Sequence, residues 1–495
     1  MKAIYSGCIP DPWLDVAKKL YLENNIEPAY WIGWDDYDKK LVLNNFETCV
    51  FQTFQMAWKG IFPSVDKANS LNIPELDGDI LKKFSHEENL AMKMMDRQDP
   101  TGYNFSFDER QSFFRHLLRN WIYIIERYDI DLVISPSIPH RVFDFALYIA
   151  SQIKNVNFIT FKQTVWPGYI IPMKKIDEIP LYNQSQTKNN EIVEKYITKI
   201  KSNYLNAEPD YMKAQKKNQA TSNLKLVSNW IKKRKLINSL VWIFKDSNSY
   251  WKLKGERIQE SRITNFQKQL ILLKGRKYKK KLKKNYKLLS SVPDYSRKFI
   301  FVALHYQPEE TSNPSGDIYV DQSLMVESLL KYSSNDTYLY IKEHTSQFHP
   351  LMEGETGRQQ NFYKRLLEFE RVKLISTEVN SFDLIDKSMA VVTLTGTVGV
   401  ESVIRHKPVI VFGTAWYEHL TGVFKIRSME DLRNALVEIE NGVLIEDDSI
   451  NKSLTDILNN TVKAYHYGNN KSLSGISKEE SVSNLVSCIL GLMKS

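Results

Sequence analysis

Val391-Val392-Thr393-Leu394-Thr395-Gly396-Thr397-Val398-Gly399-Val400-Glu401 decides how this chain is read. Its first four residues form an apolar, β-branched run of the buried-strand type, and Thr395-Gly396-Thr397 then turns the chain into a helix over Gly399–Arg405. Glycines let backbone approach a ligand closely, and the unpaired N–H groups of a first helical turn face an anion. The turn has a plainer reading too, a strand-to-helix connection with a threonine cap.

The same alternation extends in both directions. Strands are expected at Lys298–His305, Thr337–Lys342, Val372–Ile375, Ala390–Leu394 and Pro408–Phe412, with helices at Val320–Leu330, Asn361–Phe369 and Phe382–Lys387 between them. Nearer the start, strands are expected at Lys2–Tyr5, Pro28–Ile32, Leu132–Ser135 and Val156–Phe161, and helices at Pro12–Asn24, Phe113–Tyr128 and Val142–Ile153. Such spacing predicts an α/β protein with a parallel sheet in each half, residues 1–176 and residues 294–445. Between them, residues 177–293 lose strand signals and gain Lys, Asn, Ser and Gln, which predicts a basic helical insertion or linker. Residues 446–495 are expected to be helical, because Val482, Leu485, Val486, Ile489, Leu490 and Met493 recur at helical spacing.

A chain of 495 residues suits two domains better than one core. Its three cysteines, Cys8, Cys49 and Cys488, fit neither a disulfide framework nor a zinc site and predict a reducing compartment. The N-terminal residues lack the apolar length of a signal peptide, and no run reaches the roughly 18 apolar residues of a spanning helix, so a cytoplasmic protein is expected. The net charge of +9 is unevenly spread: Tyr211 to Ile300 holds 25 Lys and Arg against 4 Asp and Glu, leaving the remainder net acidic. Leu224–Phe244 interleaves Trp230, Leu236, Trp242 and Phe244 with Lys232–Lys235, and Lys274–Lys287 is almost solid Lys and Arg. Peripheral contact of residues 211–290 with the inner face of an anionic membrane is one reading, a solvated helical arm the other. Nucleic acid is not an expected partner, because no recognition module accompanies the lysines.

Candidate chemistry gathers just after the strands, where ligands bind in open parallel sheets. Thr395, Gly396, Thr397 and Gly399 form a phosphate cradle in this reading, with Glu401 one turn later able to accept from a ribose hydroxyl. Lys342 and His344 leave the strand Thr337–Lys342 and offer a cation and an imidazole N–H to a leaving phosphate. His305 and Gln307 follow the first strand of this half as candidate substrate contacts, and Glu309 is a candidate base, nucleophile or hydroxyl-orienting carboxylate. In the first half, His140 and Asp144 follow Leu132–Ser135, although Asp144 at a helix start also suits the helix dipole without any catalysis. A zinc-spaced set, a P-loop, a Gly-x-Ser-x-Gly elbow and Gly-x-Gly-x-x-Gly are all missing from the sequence.

Taken together, Leu304-His305-Tyr306-Gln307-Pro308-Glu309, Asp321-Gln322, Tyr340-Ile341-Lys342-Glu343-His344, Thr395 to Ser402 and Lys407 to Gly413 resemble the capsule polysaccharide biosynthesis proteins. That family includes bacterial Kdo (3-deoxy-manno-octulosonic acid) and related nonulosonate transferases. Thr345 stands where the family usually has proline. Pro139-His140 through Tyr148 looks like its N-domain Pro-His segment.

The resemblance implies two Rossmann-like domains facing a cleft (GT-B), with the basic insertion between them. It implies a glycosyltransferase that moves an acidic sugar from a CMP-activated donor to a surface-polysaccharide or lipid-linked glycan acceptor. His344 and Thr395–Thr397 would hold the CMP phosphate, and Asp144 and Glu309 are the candidate catalytic carboxylates, their roles unassigned. No cofactor beyond the donor substrate is expected. No metal is expected either, since no Asp-x-Asp motif follows a strand. The alternatives are a UDP-sugar-dependent transferase or epimerase on the same fold and, from another class, a non-catalytic scaffold in glycan assembly.

Overall fold

The structure is a computed structural model, described here over residues 1–65, 73–97, 99, 105–181, 190–202, 246–247, 251–254, 257–260, 263–350, 352–468 and 471–494. The first lobe is built on strands β1 (Lys2–Ser6), β2 (Glu27–Gly33), β3 (Val50–Thr53), β4 (Leu132–Ile134), β5 (Asn157–Gln163) and β6 (Tyr169–Met173). The second is built on β7 (Phe299–Ala303), β8 (Tyr338–Lys342), β9 (Val372–Ile375), β10 (Val391–Thr393), β11 (Val409–Val411) and β12 (Val423–Lys425). A last strand, β13 (Val462–Lys463), returns to the first lobe and pairs antiparallel with β6.

In the second lobe the order is β9-β8-β7-β10-β11-β12, with every pairing parallel. This is the order of a doubly wound dinucleotide-binding sheet. The first lobe repeats it as β3-β2-β1-β4-β5 in parallel, then adds β6 and β13 antiparallel at one edge. Both lobes are therefore Rossmann-like, and the central strands are buried on both faces, as their unbroken apolar runs require.

Helix α1 (Pro10–Asn24) follows β1, and α2 (Phe107–Arg127) opens with a Ser106/Glu109 capping box and packs on α3 (Val142–Ile153). The closing helix Lys478–Lys494 does not stand apart. Val482, Leu485, Val486 and Ile489 bury their side chains with Trp13, Leu14 and Leu20 of α1, so the tail completes the first lobe. Asp447–Asn459 instead packs beside Glu191–Lys201 and Val398–Ile404.

Residues 177–293 depart from a purely helical insertion. Trp251–Lys254 and Arg257–Glu260 pair as an antiparallel hairpin, and the helix Asn265–Leu289 buries Leu282 and Tyr286 in the core of the second lobe. Its C-terminal part thus belongs to that lobe. The expected amphipathic stretch Leu224–Phe244 lies outside the described residues.

Candidate active site

In each sheet the first and fourth strands are neighbours, and the crossovers leave them in opposite directions. The crevice for a ligand opens beyond their carboxyl ends. In the second lobe that edge carries the loop from His305 to Gly316, after β7, and the turn Thr395–Thr397, after β10. In the first lobe it carries Gly7–Ile9, after β1, and Ser135–Arg141, after β4.

The Thr395 turn is held chiefly by protein groups. The Thr395 N–H donates to His305 Nε2 at 3.2 Å, and the Thr395 hydroxyl donates to the Thr311 carbonyl at 2.8 Å. The His305 ring nitrogen also lies 2.8 Å from the Thr393 hydroxyl, and burial pushes its pKa down to about 3, so the imidazole is neutral. A Cβ on Gly396 would come within 3.1 Å of that ring. One on Gly399 would fall 2.2 Å from the Tyr417 hydroxyl, which itself donates to the Gly396 carbonyl. Both glycines therefore make room for side chains of the protein, a use the sequence reading had given to a ligand. Thr395 likewise has no hydroxyl proton left for a phosphate.

Thr397 precedes the seven-residue helix Val398–Ile404 without capping it through its side chain. Its hydroxyl instead bonds the carboxyl of Glu401, which burial pushes up to about 7 against that bond and the pull of Lys199. Glu401 is also felt by Tyr196 and Tyr417, so it lies beside the helix Glu191–Lys201.

At the end of β8 the three polar residues part company. Lys342 turns away from the crevice turn: its ammonium donates to the Val379 carbonyl at 2.6 Å and to the Ser381 hydroxyl at 2.8 Å. Glu343 is buried in an ion pair with Arg358, Nε to Oε2 2.8 Å, and also accepts from the Tyr363 hydroxyl at 2.7 Å. His344 accepts the Ser346 N–H on Nδ1 at 3.2 Å, and burial lowers its pKa to about 4. A neutral ring that accepts on Nδ1 carries its proton on Nε2, leaving one N–H to donate. His344 thus keeps the donor that its expected role needs.

Gln307 does not. Its N–H bonds Gln347 at 3.0 Å, its side-chain amide donates to the Val320 carbonyl at 2.6 Å, and its side-chain oxygen accepts from Arg358. Arg358 also donates to the His305 carbonyl at 2.7 Å. Gln307 and His305 are thus framework residues of the loop that presents Glu309 and Glu310, which corrects the substrate-contact reading.

That loop meets the first lobe. Lys162, buried at the end of β5, reaches Glu310 at 3.3 Å and the Ser315 hydroxyl at 3.0 Å, and Asn313 donates to the Leu90 carbonyl at 3.1 Å. Burial opposes ionisation of Glu310, but Lys162 holds its carboxyl below the usual range. Glu309 goes the other way, pushed up by desolvation and by Glu310 beside it. Facing them, Arg97 donates to the His140 carbonyl at 3.2 Å and is influenced by Arg141 from its own lobe and by Glu309 and Glu353 from the other. His140 is brought to the same place: desolvation, Arg141 and Arg97 depress it to about 3, opposed in part by Glu310. Its Nδ1 is spent on the Ile138 carbonyl at 2.7 Å.

Asp144 sits one turn into α3. Its Oδ1 accepts the Arg141 N–H at 2.7 Å and its Oδ2 lies 3.6 Å from the Arg141 guanidinium. Burial pushes its pKa up to about 6 against the lowering effect of Arg141. The crevice therefore unites His140, Arg141 and Arg97 with Glu309 and Glu310, whereas Asp144 caps a helix behind Arg141. Sequence reading missed Arg97, Lys162 and Arg358. Lys162 could have been found, because it ends a buried strand just as Lys342 does.

Two Rossmann-like sheets whose switch-point loops meet in one crevice define a GT-B architecture. Residues 277–442 match the family described as capsule polysaccharide biosynthesis protein. No curated protein sequence matches the chain. Solved structures similar to it include UDP-GlcNAc 2-epimerase from Methanocaldococcus jannaschii, 13% identical over 93% of this chain and 99% of that one, with a TM-score of 0.26. The beta Kdo 2,7 transferase KpsC of Thermosulfurimonas dismutans is 12% identical over 80% of this chain and 95% of that one, with a TM-score of 0.27. At such values these likenesses carry no weight beside the strand order and the family match.

Proposed function

We propose that the chain is a glycosyltransferase of capsule polysaccharide synthesis that takes an acidic sugar from a CMP-activated donor. The observation that carries this reading is the pairing of Arg97 and Arg141 in the interlobe crevice, where Arg97 feels the charge of Arg141 and Glu309 stands opposite. Two guanidiniums brought together at a buried edge favour an anion, and a sugar carboxylate or nucleotide phosphate provides one. The family match over residues 277–442 supports the same reading. In it, the Nε2 proton of His344 stabilises charge on the leaving phosphate, and Glu309, with its raised pKa, is poised to take the proton of an acceptor hydroxyl. Asp144 orients Arg141. A glycan or lipid-linked acceptor fits the family, and the reading calls for no metal.

The test compares stabilisation by CMP, CDP and UDP, then sugar transfer by Arg97→Ala, Glu309→Gln and His344→Ala. CMP is expected to raise the melting temperature most, and each variant to lose at least about a hundredfold in turnover with its fold intact. Preference for UDP would favour the UDP-sugar transferase or epimerase. No nucleotide binding at all would leave the scaffold and end this proposal.

A further inference from the structure

We infer that the first lobe holds a second ligand site, a cavity of about 220 Å³ that takes one neutral sugar ring. It lies between the β5–β6 connection and the returning tail, and Gln163, Trp166, Tyr169, Tyr465, His466 and Leu473 are among its walls. On the glycosyltransferase reading, on which this rests, the cavity is an acceptor subsite.

Two buried polar atoms of wall residues have no partner among the described residues, Trp166 Nε1 and His466 Nδ1. Trp166 is 4% and His466 2% exposed. The side-chain amide of Gln163 donates to His466 Nε2 at 3.0 Å, so the proton of this imidazole lies on Nδ1. Burial keeps the ring neutral by pushing its pKa down to about 4. Both orphans are therefore N–H donors. Buried donors without acceptors are costly and rare in folded proteins, and a ligand bearing oxygen acceptors removes that cost.

The chemistry of the walls narrows the ligand. Indole and phenol rings give flat apolar faces, Gln163 and Thr164 add polar edges, and among the described residues no Lys, Arg, Asp or Glu lines the space. A carboxylate or phosphate here would lack a counter-charge, whereas hydroxyl and acetamido oxygens need none. The size suits a single ring, below the usual range for larger ligands.

The cavity also touches the crevice. Trp166 packs edge-on against Trp416 at 5.3 Å, Trp416 packs against Tyr417 at 5.3 Å, and the Tyr417 hydroxyl donates to the carbonyl of Gly396. One aromatic layer thus separates the sugar site from the Thr395 turn.

The test titrates the full chain with N-acetylglucosamine, galactose and glucuronate, following tryptophan fluorescence and ligand-detected NMR, with CMP binding read in the same samples. A neutral sugar is expected to bind. Trp166→Phe, which keeps the ring face and removes the N–H, weakens it roughly fivefold, the value of one hydrogen bond. Leu473→Trp blocks the mouth and abolishes sugar binding without touching the core, since Leu473 is 68% exposed. CMP affinity is unchanged in both variants. Binding of no neutral sugar, tighter binding of glucuronate, or indifference to both substitutions would each overturn the site, as would a crystal soak showing ordered water only. Retained CMP binding in those cases leaves the transferase reading standing, and its loss in the unaltered protein would remove that reading instead.

Discussion

The N–H of Thr395 donates to the imidazole of His305 across 3.2 Å, so the residue after the first strand of the second lobe fixes the turn after the fourth. Because this imidazole accepts a backbone proton, it works only when neutral, and its pKa of about 3 agrees. Unfolded, it would titrate near 6.5. The unfolded chain therefore binds a proton that the native one refuses, and stability is full above about pH 6.5 and is lost as pH falls toward 3. His305 contributes a slope of roughly 1.4 kcal/mol per pH unit in that window. His140, His344 and His466 are depressed in the same direction. Urea unfolding at pH 7.5, 6 and 5 should show the decline, and His305→Gln should be visibly flatter than the unaltered protein. Parallel pH profiles would refute the assignment.

Glu343 and Arg358 form a buried ion pair that ties β8 to the His305 loop. Removing one partner strands the other's charge, so Arg358→Ala should destabilise by about 3–5 kcal/mol. Glu343→Gln together with Arg358→Met leaves no charge behind and should cost markedly less. Equilibrium unfolding of the two variants decides it. Additive or greater loss in the double variant would mean that the pair itself, and not the avoided orphan, holds the loop.

Asp144 presents a case where stability and activity separate. Its pKa is raised from an ordinary value near 3.8 to about 6, so the native state holds this proton more tightly than the unfolded chain does. The sign is the reverse of the histidines: its contribution is present below about pH 3.8 and is lost as pH rises through 6. Asp144→Asn keeps an oxygen for the Arg141 N–H and removes the titration. It should gain stability relative to the unaltered protein between pH 4 and 7, while turnover falls through misplacement of Arg141. If turnover survives in Asp144→Asn but not in Arg141→Ala, the carboxylate has only a helix-start role.

Central strands were legible because burial on both faces demands continuous apolar runs: Leu132–Ile134, Val391–Thr393 and Val409–Val411 stand where periodicity puts them. Val50–Thr53, Tyr169–Met173, Val423–Lys425 and Val462–Lys463 escaped notice. Val50–Thr53 and Val423–Lys425 end their sheets, while Tyr169–Met173 and Val462–Lys463 form the antiparallel margin. With less burial to satisfy, such strands tolerate Gln52, Pro172 and Lys463 in short runs. The position of the crevice was legible from the strand ends. Which polar atoms remain free there was not. Gln307, Lys342 and Thr395 are the right residue types beside a ligand cleft, yet their partners come from Arg358, Val379 and Thr311, at distances along the chain that no local pattern encodes.

The helix Asn265–Leu289 divides its lysines by fate. Lys279 is buried, donating to the carbonyls of His349 at 3.1 Å and Pro350 at 3.3 Å and pairing with Glu355 at 3.1 Å, so it belongs to the fold. Lys277, Lys280, Lys281 and Lys284 are exposed, and on the earlier turns Phe266, Leu270 and Leu273 are exposed as well, at spacings of four and three. Apolar side chains and lysines sharing the open side of one helix suit an anionic lipid surface, where each lysine contributes about 1 kcal/mol. Among the described residues no helix is long and apolar enough to cross a membrane. Reversing Lys280, Lys281 and Lys284 to Glu should lower partitioning onto phosphatidylglycerol-rich vesicles by roughly a hundredfold, with turnover on a water-soluble acceptor unaltered. Raising salt should imitate the substitution. Lys279→Met should instead lower the melting temperature, because three carbonyls and Glu355 lose their cation together. Vesicle binding that ignores both the reversals and salt would leave these lysines as a solvated face.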